Sequence, residues 1–468
     1  MSAERDISKV VGALIERARA AMAAYDNTDQ DRVDDAVTAL AWSIYQPKNA
    51  RDLAEMAVED TGLGNVESKV IKNTRKTFGT LRDLLRVRSV GVIEDDPARG
   101  MVKYGKPVGV VAAVCPSTNP SATAVNKAMM ALKGGNAVII APSPAGAKTT
   151  ARTVDLMRAE LARAGQPQDL VQILPAPVSK ELTTELISRA DLAVVTGSQN
   201  NVKRAMQSGT VAIGVGAGNV PVIIDESADL AAAAGMIRQS KCFDNATSCS
   251  SENSLVILDS VYDAAIAALV GAGAWRCTPE QRDRVRANLW RNGVLNRAVI
   301  AKDASVLADV FDLPEAARSA SFFLVEQDGV GGAHSFADEK LSLVLTVYRA
   351  SDWDHAKRIV HDVLEVCGKG HSVGIHTRDA SHARDLAATS DVVRVLVNQP
   401  HTFGNGGSFE NALPFTLSMG CGTWAGNTID ENLNWRHFVN ITHLVSTIAE
   451  DKPDEGDLFG PYWARHGK

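Results

Sequence analysis

The chain has 468 residues, of which 45% are hydrophobic and 22% are charged, so its composition is too apolar for a disordered protein. The 49 basic and 55 acidic side chains leave a net charge of −6. A balance this mild gives no electrostatic reason to expect a nucleic acid or an anionic membrane as a partner. At about 150 residues per domain, the length predicts roughly two or three domains.

The N-terminal part of the chain is rich in Ala, Leu and charged residues at helical spacing. This pattern predicts helices over residues 6–25, 29–46, 48–61 and 66–86. Two strand-like runs follow and are separated by an Asp-Asp-Pro turn. They cover residues 89–94 and 101–106. The sequence therefore predicts a helical layer that ends in two short strands.

From residue 108 the pattern changes to short, continuously apolar runs that alternate with helical segments. The predicted strands cover residues 108–114, 137–141, 170–174 and 192–195. The predicted helices cover residues 121–133, 146–164 and 179–188. Buried strands that alternate with helices predict an α/β fold with a doubly wound parallel sheet, and such sheets bind ligands at the carboxyl ends of their strands.

A second α/β unit begins after residue 225. It starts with a helix over 228–240, an irregular loop over 242–252 and a strand over 254–258, and the alternation continues to about residue 400. A glycine-rich segment over 402–407 then interrupts the pattern. The sequence thus predicts two α/β units in one chain.

The six cysteines are widely spaced and form no CxxC pair, which is typical of reduced thiols rather than of a disulfide framework. The polar N-terminal residues lack the apolar core of a signal peptide. No apolar run approaches the ~18 residues of a membrane span. We therefore expect a cytoplasmic protein with no membrane partner.

Cys249 is the first candidate for chemistry, because it lies in a loop rich in hydroxyl and amide side chains. Such neighbours can stabilise a thiolate, the form of cysteine that acts as a nucleophile. The alternative is that Cys249 is a small buried hydrophobe, as most intracellular cysteines are. That alternative suits the cysteines with apolar or helical neighbours better: Cys115, Cys242, Cys277 and Cys367.

Residues 214–219 form a glycine-rich motif that contains Gly214, Gly216 and Gly218. A dinucleotide-binding fingerprint requires a helix directly after the glycines, but here a strand-like run over 220–225 follows. We therefore expect these glycines to shape a tight loop that lines a cleft. The alternative is a plain connecting turn.

A short polar motif, 116–120, directly follows the first predicted sheet strand. Its Thr118 hydroxyl and Asn119 amide could donate hydrogen bonds to a developing oxyanion, although an ordinary turn would have the same composition. His371 stands alone after a glycine pair, and no His, Cys or acidic cluster has metal-ligand spacing. We expect no metal.

Taken together and in this order, these motifs resemble the aldehyde dehydrogenase superfamily, and more closely its CoA-acylating branch. The resemblance covers about residues 8–445. Its most specific marks are the segment 243–245 that leads to Cys249 and Glu252, together with 214–219, 116–120, 339–342, 417–424, Asn427 and 431–432. The resemblance implies a Rossmann-type cofactor domain over 1–225 with about 408–435, a catalytic domain over 226–407, and oligomerisation elements at 89–106 and 436–468.

Carried over position by position, the resemblance makes Cys249 the nucleophile. Thr118 or Asn119 would join the Cys249 backbone N–H in binding the oxyanion, and the choice between the two stays open. Glu339 would hold the nicotinamide ribose. The remaining expected cofactor-binding residues are Pro116, Ala141, Ser143, Lys148, Thr196, Gly197, Ser198, Gly214, Gly216 and Gly218.

Two departures from the hydrolytic branch of the superfamily are informative. Hydrolytic members have a general-base glutamate at the position of Val215, and Gly216 follows it here. They also have a lysine, which holds the adenosine ribose, where this chain has Ala141. Lys148 could reach a 2′-phosphate, so we expect NADP or NAD with a slight preference for NADP.

The resemblance implies oxidation of an aldehyde through a Cys249 thioester and transfer of the acyl group to coenzyme A. The hydroxyls around Cys249 suit a sulfonate or carboxylate tail, which favours sulfoacetaldehyde first and succinic semialdehyde second. The expected substrate residues are Thr247, Ser248, Ser250 and Ser251.

Two alternative functions stay open: a hydrolytic enzyme with another base, and a catalytically silent binding protein. We expect the protein to form a homodimer or homotetramer.

Overall fold

The computed structural model describes residues 2–25, 29–197, 199–331 and 336–468, with side chains from Asp6 onward. Its helices are α1 (Ser2–Ala24), α2 (Gln30–Tyr45), α3 (Pro47–Thr61), α4 (Val66–Ile71), α5 (Thr77–Leu85), α6 (Ala122–Lys133), α7 (Ala147–Arg163), α8 (Lys180–Arg189), α9 (Gln199–Met206), α10 (Leu230–Cys242), α11 (Tyr262–Gly271), α12 (Pro279–Leu289), α13 (Ala304–Val310), α14 (Trp353–Val366), α15 (Ala380–Thr389), α16 (His401–Asn405) and α17 (Glu455–His466).

The strands are β1 (Gly91–Asp96), β2 (Met101–Pro107), β3 (Val110–Val114), β4 (Ala137–Ala141), β5 (Val171–Ile173), β6 (Leu192–Val195), β7 (Ala212–Gly214), β8 (Val220–Ile224), β9 (Glu252–Leu258), β10 (Ala274–Arg276), β11 (Trp290–Arg291), β12 (Val294–Leu295), β13 (Phe322–Glu326), β14 (Val344–Ala350), β15 (Gly370–His376), β16 (Val392–Val397) and β17 (Val439–Val445). Among the described helices, none is long and apolar enough to cross a membrane.

The first parallel sheet has the strand order β5-β4-β3-β6-β7. Its central strands β3 and β4 are buried along their whole length, which explains their continuous Val, Ile and Ala runs. The N-terminal helices and α6 pack against this sheet in one apolar core. The predicted doubly wound parallel sheet is confirmed, and helix α9 and strand β7 add to the predicted elements.

The second parallel sheet has seven strands in the order β10-β13-β14-β9-β8-β15-β16. Two apolar clusters cover its faces. Strand β8, which the sequence analysis placed at the end of the first unit, pairs with β9 and β15 of this sheet. The division between the two sheets therefore falls before Val220 rather than after residue 225, because the glycine loop and not β8 makes the connection.

A third, antiparallel sheet joins the two predicted short strands to the end of the chain, in the order β1-β2-β17. Asn136 ties this sheet to the first core. Its Oδ1 accepts hydrogen bonds from the backbone N–H groups of Val108 (2.7 Å) and Gly109 (3.0 Å). Its Nδ2 donates to the carbonyls of Ala131 (2.8 Å) and Phe438 (2.7 Å). One fully buried amide thus satisfies four backbone groups.

We predict that Asn136→Ala destabilises the protein strongly. The substitution removes the hydrogen-bond partner of the Val108 and Gly109 N–H groups and of the Phe438 carbonyl, whereas the Ala131 carbonyl still accepts from Gly134 and Asn136. Each lost partner costs about 1–3 kcal/mol. The free energy of unfolding should fall by roughly 3–9 kcal/mol. Thermal unfolding should show this as a Tm lower by several degrees.

The matched control is Asn440→Ala, which removes one exposed hydrogen bond of 3.5 Å to the carbonyl of Pro107 in the same sheet. Its Tm should stay close to that of the wild type. Equal Tm values for the two variants would show that Asn136 does not hold the sheet junction.

Candidate active site

Cys249 is a free cysteine in the loop between α10 and β9, and the residue as a whole is half-buried. Three non-glycine residues earlier in the loop, Asp244, Asn245 and Ala246, have left-handed φ values of 51°, 53° and 59°. A left-handed non-glycine residue costs about 1–2 kcal/mol, so surrounding contacts must hold this turn in place.

The buried carboxylate of Asp244 supplies those contacts. Its Oδ2 accepts hydrogen bonds from Lys69 Nζ (3.1 Å), Lys72 Nζ (2.5 Å) and Thr247 Oγ1 (2.7 Å). Its Oδ1 accepts one from the Asn65 backbone N–H (2.9 Å). Burial acts to raise the pKa of Asp244, but the two lysines outweigh it and hold that pKa below its usual value. The Cys249 loop is therefore fixed to the helical layer by a buried ion pair.

A cleft opens beside Cys249, and we call it the Cys249 cleft. Its lining includes Gly218, Lys241, Ser248, Ser251, Asn253 and Glu339. Burial, with Asp338 nearby, raises the pKa of Glu339 to about 8. Glu339, which the resemblance assigns to the nicotinamide ribose, thus shares the cleft with Cys249.

The environment of Cys249 raises the pKa of its thiol to about 12, chiefly through burial and then through the charge of Glu339. The neighbouring Ser250 acts in the opposite direction but is outweighed. The expectation that the hydroxylated loop by itself stabilises a thiolate is therefore wrong for the free protein. Positive charge brought into the cleft by a bound molecule would lower this pKa.

The three motif glycines have different neighbours. A Cβ on Gly218 would lie 2.0 Å from the Cys249 carbonyl oxygen, so this position requires glycine for the loop to approach Cys249. A Cβ on Gly214 would lie 2.3 Å from Val202 of α9, and one on Gly216 would lie 2.8 Å from the Cys421 sulfur. Gly218 reaches the cleft, whereas the other two glycines allow close internal packing.

Several expected cofactor residues meet at one edge of the first sheet. Pro116 follows β3, Ala141 ends β4 and precedes Ser143, and Thr196 and Gly197 follow β6. Because β4, β3 and β6 are neighbouring parallel strands, their carboxyl ends form one edge.

Two basic residues belong to the same edge of the first sheet. Lys127, which sequence reasoning missed, braces the edge by donating to the carbonyls of Val114 (2.6 Å) and Val194 (3.0 Å). Lys148 is exposed in the first turn of α7. Ser198 lies outside the described residues.

The two oxyanion candidates are placed differently. Asn119 lines a second pocket next to Cys249, and its buried Oδ1 has no hydrogen-bond partner. Its Nδ2 lies 3.5 Å from Thr118 Oγ1, and the Thr118 carbonyl accepts from Lys69 Nζ (3.2 Å). Of the two candidates, Asn119 is thus the one that lines the pocket, and its Nδ2 is the atom that can donate to an oxyanion, because Oδ1 is an acceptor.

The four hydroxyls expected to bind substrate do not form one surface. Thr247 is committed to Asp244, and the Ser250 hydroxyl accepts from Asn405 Nδ2 (3.0 Å). Ser248 lines both the Cys249 cleft and the second pocket, and the buried Ser251 hydroxyl lies in the cleft without a partner. The structure therefore brings Ser248 and Ser251 to Cys249 but not Thr247.

The second pocket, which we call the basic pocket, contains cations that sequence reasoning missed. Lys72, Arg75 and Lys76 line it, together with Phe243, Phe403 and Met419. The three cations lie in Lys72–Lys76, a π-helical segment between α4 and α5. Single turns of π-helix are frequent at functional sites. The signal in the sequence is the local run Lys-Asn-Thr-Arg-Lys inside an otherwise ordinary helix.

Two parallel α/β sheets that present a cysteine loop toward a cofactor-type strand edge define a dehydrogenase of the aldehyde-oxidising class. Residues 2–277 match the model of the aldehyde dehydrogenase family. The chain therefore belongs to the aldehyde dehydrogenase family.

The chain is 51% identical over 462 residues to an acylating sulfoacetaldehyde dehydrogenase of Cupriavidus necator, with 98% of this chain and 94% of that protein covered. It is 36% identical to an acetylating succinate-semialdehyde dehydrogenase of Clostridium kluyveri, with 96% and 98% covered. Among solved structures, an acetylating aldehyde dehydrogenase from Geobacillus thermoglucosidasius has a TM-score of 0.91 at 33% identity, with 96% and 99% covered.

We predict that Gly218→Ala lowers kcat by about 100-fold, because a displacement of reacting groups by ~1 Å costs about that much. The new methyl group would collide with the Cys249 backbone and shift the nucleophile. Steady-state kinetics measures the loss.

The control is Gly235→Ala on α10, where nothing lies within 4 Å of the new methyl group. That variant should keep wild-type kcat. Wild-type kcat for Gly218→Ala would contradict the close approach of the glycine loop to Cys249.

Proposed function

We propose that this chain is a CoA-acylating aldehyde dehydrogenase that oxidises a short anionic aldehyde, with sulfoacetaldehyde as the favoured substrate. The overall reaction converts the aldehyde, NAD(P)+ and CoA to the acyl-CoA, NAD(P)H and a proton. Support comes from the 51% identity to an acylating sulfoacetaldehyde dehydrogenase. The observation that carries the acylating assignment is the apolar Val215 at the position of the hydrolytic base.

In the first half-reaction, the Cys249 thiol releases its proton to solvent, and its sulfur attacks the aldehyde carbon. The resulting hemithioacetal oxyanion is held by the Cys249 backbone N–H and by Asn119, whose amide faces the basic pocket. The bound NAD(P)+ supplies the hydride acceptor. Loss of hydride from the substrate carbon leaves a thioester on Cys249, so the aldehyde carbon is oxidised by two electrons.

The cofactor binds at the carboxyl edge of the first sheet and in the Cys249 cleft. Pro116, Thr196 and Gly197 lie at the ends of β3 and β6, and Glu339 lies across the cleft beside Cys249. Ala141 and Ser143 at the end of β4 leave room where hydrolytic members have a lysine. These positions fit a dinucleotide, because the carboxyl ends of neighbouring parallel strands are where α/β sheets bind such ligands.

In the second half-reaction, the CoA thiol attacks the thioester carbonyl and releases the Cys249 thiol. Val215 is buried and offers water no proton acceptor. General-base assistance is worth about 10²–10⁴-fold, so hydrolysis without it is slow. The thioester therefore persists until CoA arrives.

Three alternatives make different predictions. Succinic semialdehyde would replace sulfoacetaldehyde as the better substrate, in line with the relative that is 36% identical. A hydrolytic enzyme would use another base, for which Glu339 is the carboxylate that lines the described Cys249 cleft. A silent family member would show no turnover.

We further propose that 89–106 and 436–468 mediate self-association into a homodimer or homotetramer, and that the protein acts in the cytoplasm. Strand β17 and helix α17 bury little in one chain. Their large apolar side chains that are at least half exposed include Leu444, Val445, Leu458, Phe459 and Tyr462. An exposed apolar patch of this kind is typical of an interaction surface.

Omitting CoA should stop turnover after one event per active site. The thioester then has no acceptor, so NAD(P)H should appear as a burst near one equivalent of enzyme and stall. Adding CoA should restore steady NAD(P)H formation and yield the acyl-CoA. Absorbance of NAD(P)H measures both phases.

Cys249→Ala should abolish the burst, whereas Cys277→Ala, a buried cysteine in the core of the second sheet, should keep it. If the wild type formed NAD(P)H at the same steady rate with and without CoA, the acylating assignment would be contradicted and a hydrolytic enzyme favoured.

Lys148 supports the slight preference for NADP. If its exposed ammonium binds the 2′-phosphate, Lys148→Ala should raise KM for NADP+ roughly fivefold, the limit for an exposed ion pair, and leave KM for NAD+ unchanged. The control Arg163→Ala removes an exposed cation at the opposite end of α7. Equal changes in KM for both cofactors would rule out 2′-phosphate recognition by Lys148.

A further inference from the structure

The basic pocket lies directly beside the nucleophile. Ser248 lines both this pocket and the Cys249 cleft, so the two spaces adjoin at this residue. Asn119 also lines the basic pocket. A two-carbon aldehyde with its carbonyl at Cys249 and its oxygen at Asn119 would direct its tail into this pocket.

Arg75 carries a half-buried charge without an acidic partner. Its guanidinium carbon lies 5.3 Å from the ring centre of Phe403 and 5.4 Å from those of Phe409 and Phe415. Nη2 donates to the Ser408 hydroxyl (3.2 Å), while Nη1 is buried with no hydrogen-bond partner. Among the described residues, no carboxylate lies within salt-bridge distance of Arg75. Because the guanidinium is partly shielded from water and has no acidic partner, an anion that binds it replaces the solvation that it has lost.

Lys76 adds a second charge of the same kind. Its Nζ donates to the Gly406 carbonyl (2.7 Å) and lies 5.4 Å from the centre of the Phe415 ring. Burial, Arg75 and Lys72 lower the pKa of Lys76 to about 7. A bound anion would favour its protonated form.

The surrounding charges do not neutralise this pair. Lys72 already shares the single carboxylate of Asp244 with Lys69. Glu410 acts on Arg75 at longer range, outside salt-bridge distance. The described residues therefore leave the pocket with an excess of positive charge.

We propose that the basic pocket binds the anionic tail of the aldehyde, and that Arg75 is the residue that selects anionic over uncharged aldehydes. This inference rests on the proposed function. Arg75 Nη1 donates to a sulfonate or carboxylate oxygen, and Lys76 supplies a second charge. The aromatic rings hold the guanidinium in position, which reduces the entropy lost on binding. Selectivity for the anion thus comes chiefly from the charges of Arg75 and Lys76, although Ser248 and Ser250 of the Cys249 loop line the same pocket.

The test compares sulfoacetaldehyde and propanal in the wild type and in Arg75→Gln. Charge-assisted hydrogen bonds contribute about 1.5–3 kcal/mol, so kcat/KM for sulfoacetaldehyde should fall roughly 10–150-fold. The value for propanal and the KM for CoA should each change less than about twofold, because neither ligand depends on Arg75. Arg75→Lys should retain part of the activity toward sulfoacetaldehyde.

The matched control is Arg82→Gln. Arg82 stacks on Phe409 and Phe415 at 5.2 and 5.0 Å but is paired with Asp83, so its loss disturbs the same rings without removing the unpaired charge. Its preference for sulfoacetaldehyde should match that of the wild type. Equal losses for both aldehydes in Arg75→Gln would reduce Arg75 to a structural role and overturn the inference.

Coenzyme A also carries anionic groups. The kinetics distinguish binding of a CoA phosphate in the basic pocket from binding of the aldehyde's anionic tail. A raised KM for CoA with an unchanged kcat/KM for sulfoacetaldehyde would show that the pocket binds CoA phosphate, which contradicts the proposal. A wild type inert with every aldehyde would instead contradict the proposed function.

If the Arg75 variants fail to fold, a measurement on the wild type alone still tests the proposal. The unreactive analogue 2-hydroxyethanesulfonate should inhibit competitively against sulfoacetaldehyde and propanal, since its sulfonate would occupy the basic pocket beside Cys249. It should not compete with CoA. Competition with CoA alone, or no inhibition, would overturn the assignment of the pocket.

Discussion

The buried carboxylate of Asp244 is the interaction on which the site depends. It binds Lys69 and Lys72 of the helical layer and holds the left-handed turn that precedes Cys249. The Cys249 loop belongs to the second α/β unit, whereas the lysines belong to the N-terminal helices. One ion pair therefore fixes Cys249 relative to the strand edge at which the cofactor residues meet.

The helical segment that binds Asp244 also supplies the positive charge next to Cys249. Asp244 is shared between two lysines, and among the described residues Arg75 and Lys76, which follow Lys72 in the same helical segment, have no acidic partner within salt-bridge distance. The polar loop around Cys249 supplies hydrogen bonds to the protein itself, as Thr247 and Ser250 show. In this account, Val215 determines that the acyl group leaves to a thiol, and Lys72–Lys76 determines which aldehyde enters.

Local sequence patterns predicted the two sheets and the helical layer, because continuous apolar runs and helical periodicity are local signals. The Cys249 loop and its glycine neighbours were also visible as motifs. The basic pocket was not, because Arg75 meets Phe403 and Phe415 only through tertiary contacts across more than 300 residues. The raised pKa of Cys249 was missed for the same reason, since burial is a property of the fold.

The most direct test of the account is mass spectrometry of the enzyme incubated with sulfoacetaldehyde and NAD(P)+ in the absence of CoA. The account predicts one adduct, equal in mass to the aldehyde less two hydrogens, on the peptide that contains Cys249. Addition of CoA should remove the adduct and release the acyl-CoA. An adduct on another cysteine, or free acid formed without CoA, would contradict it.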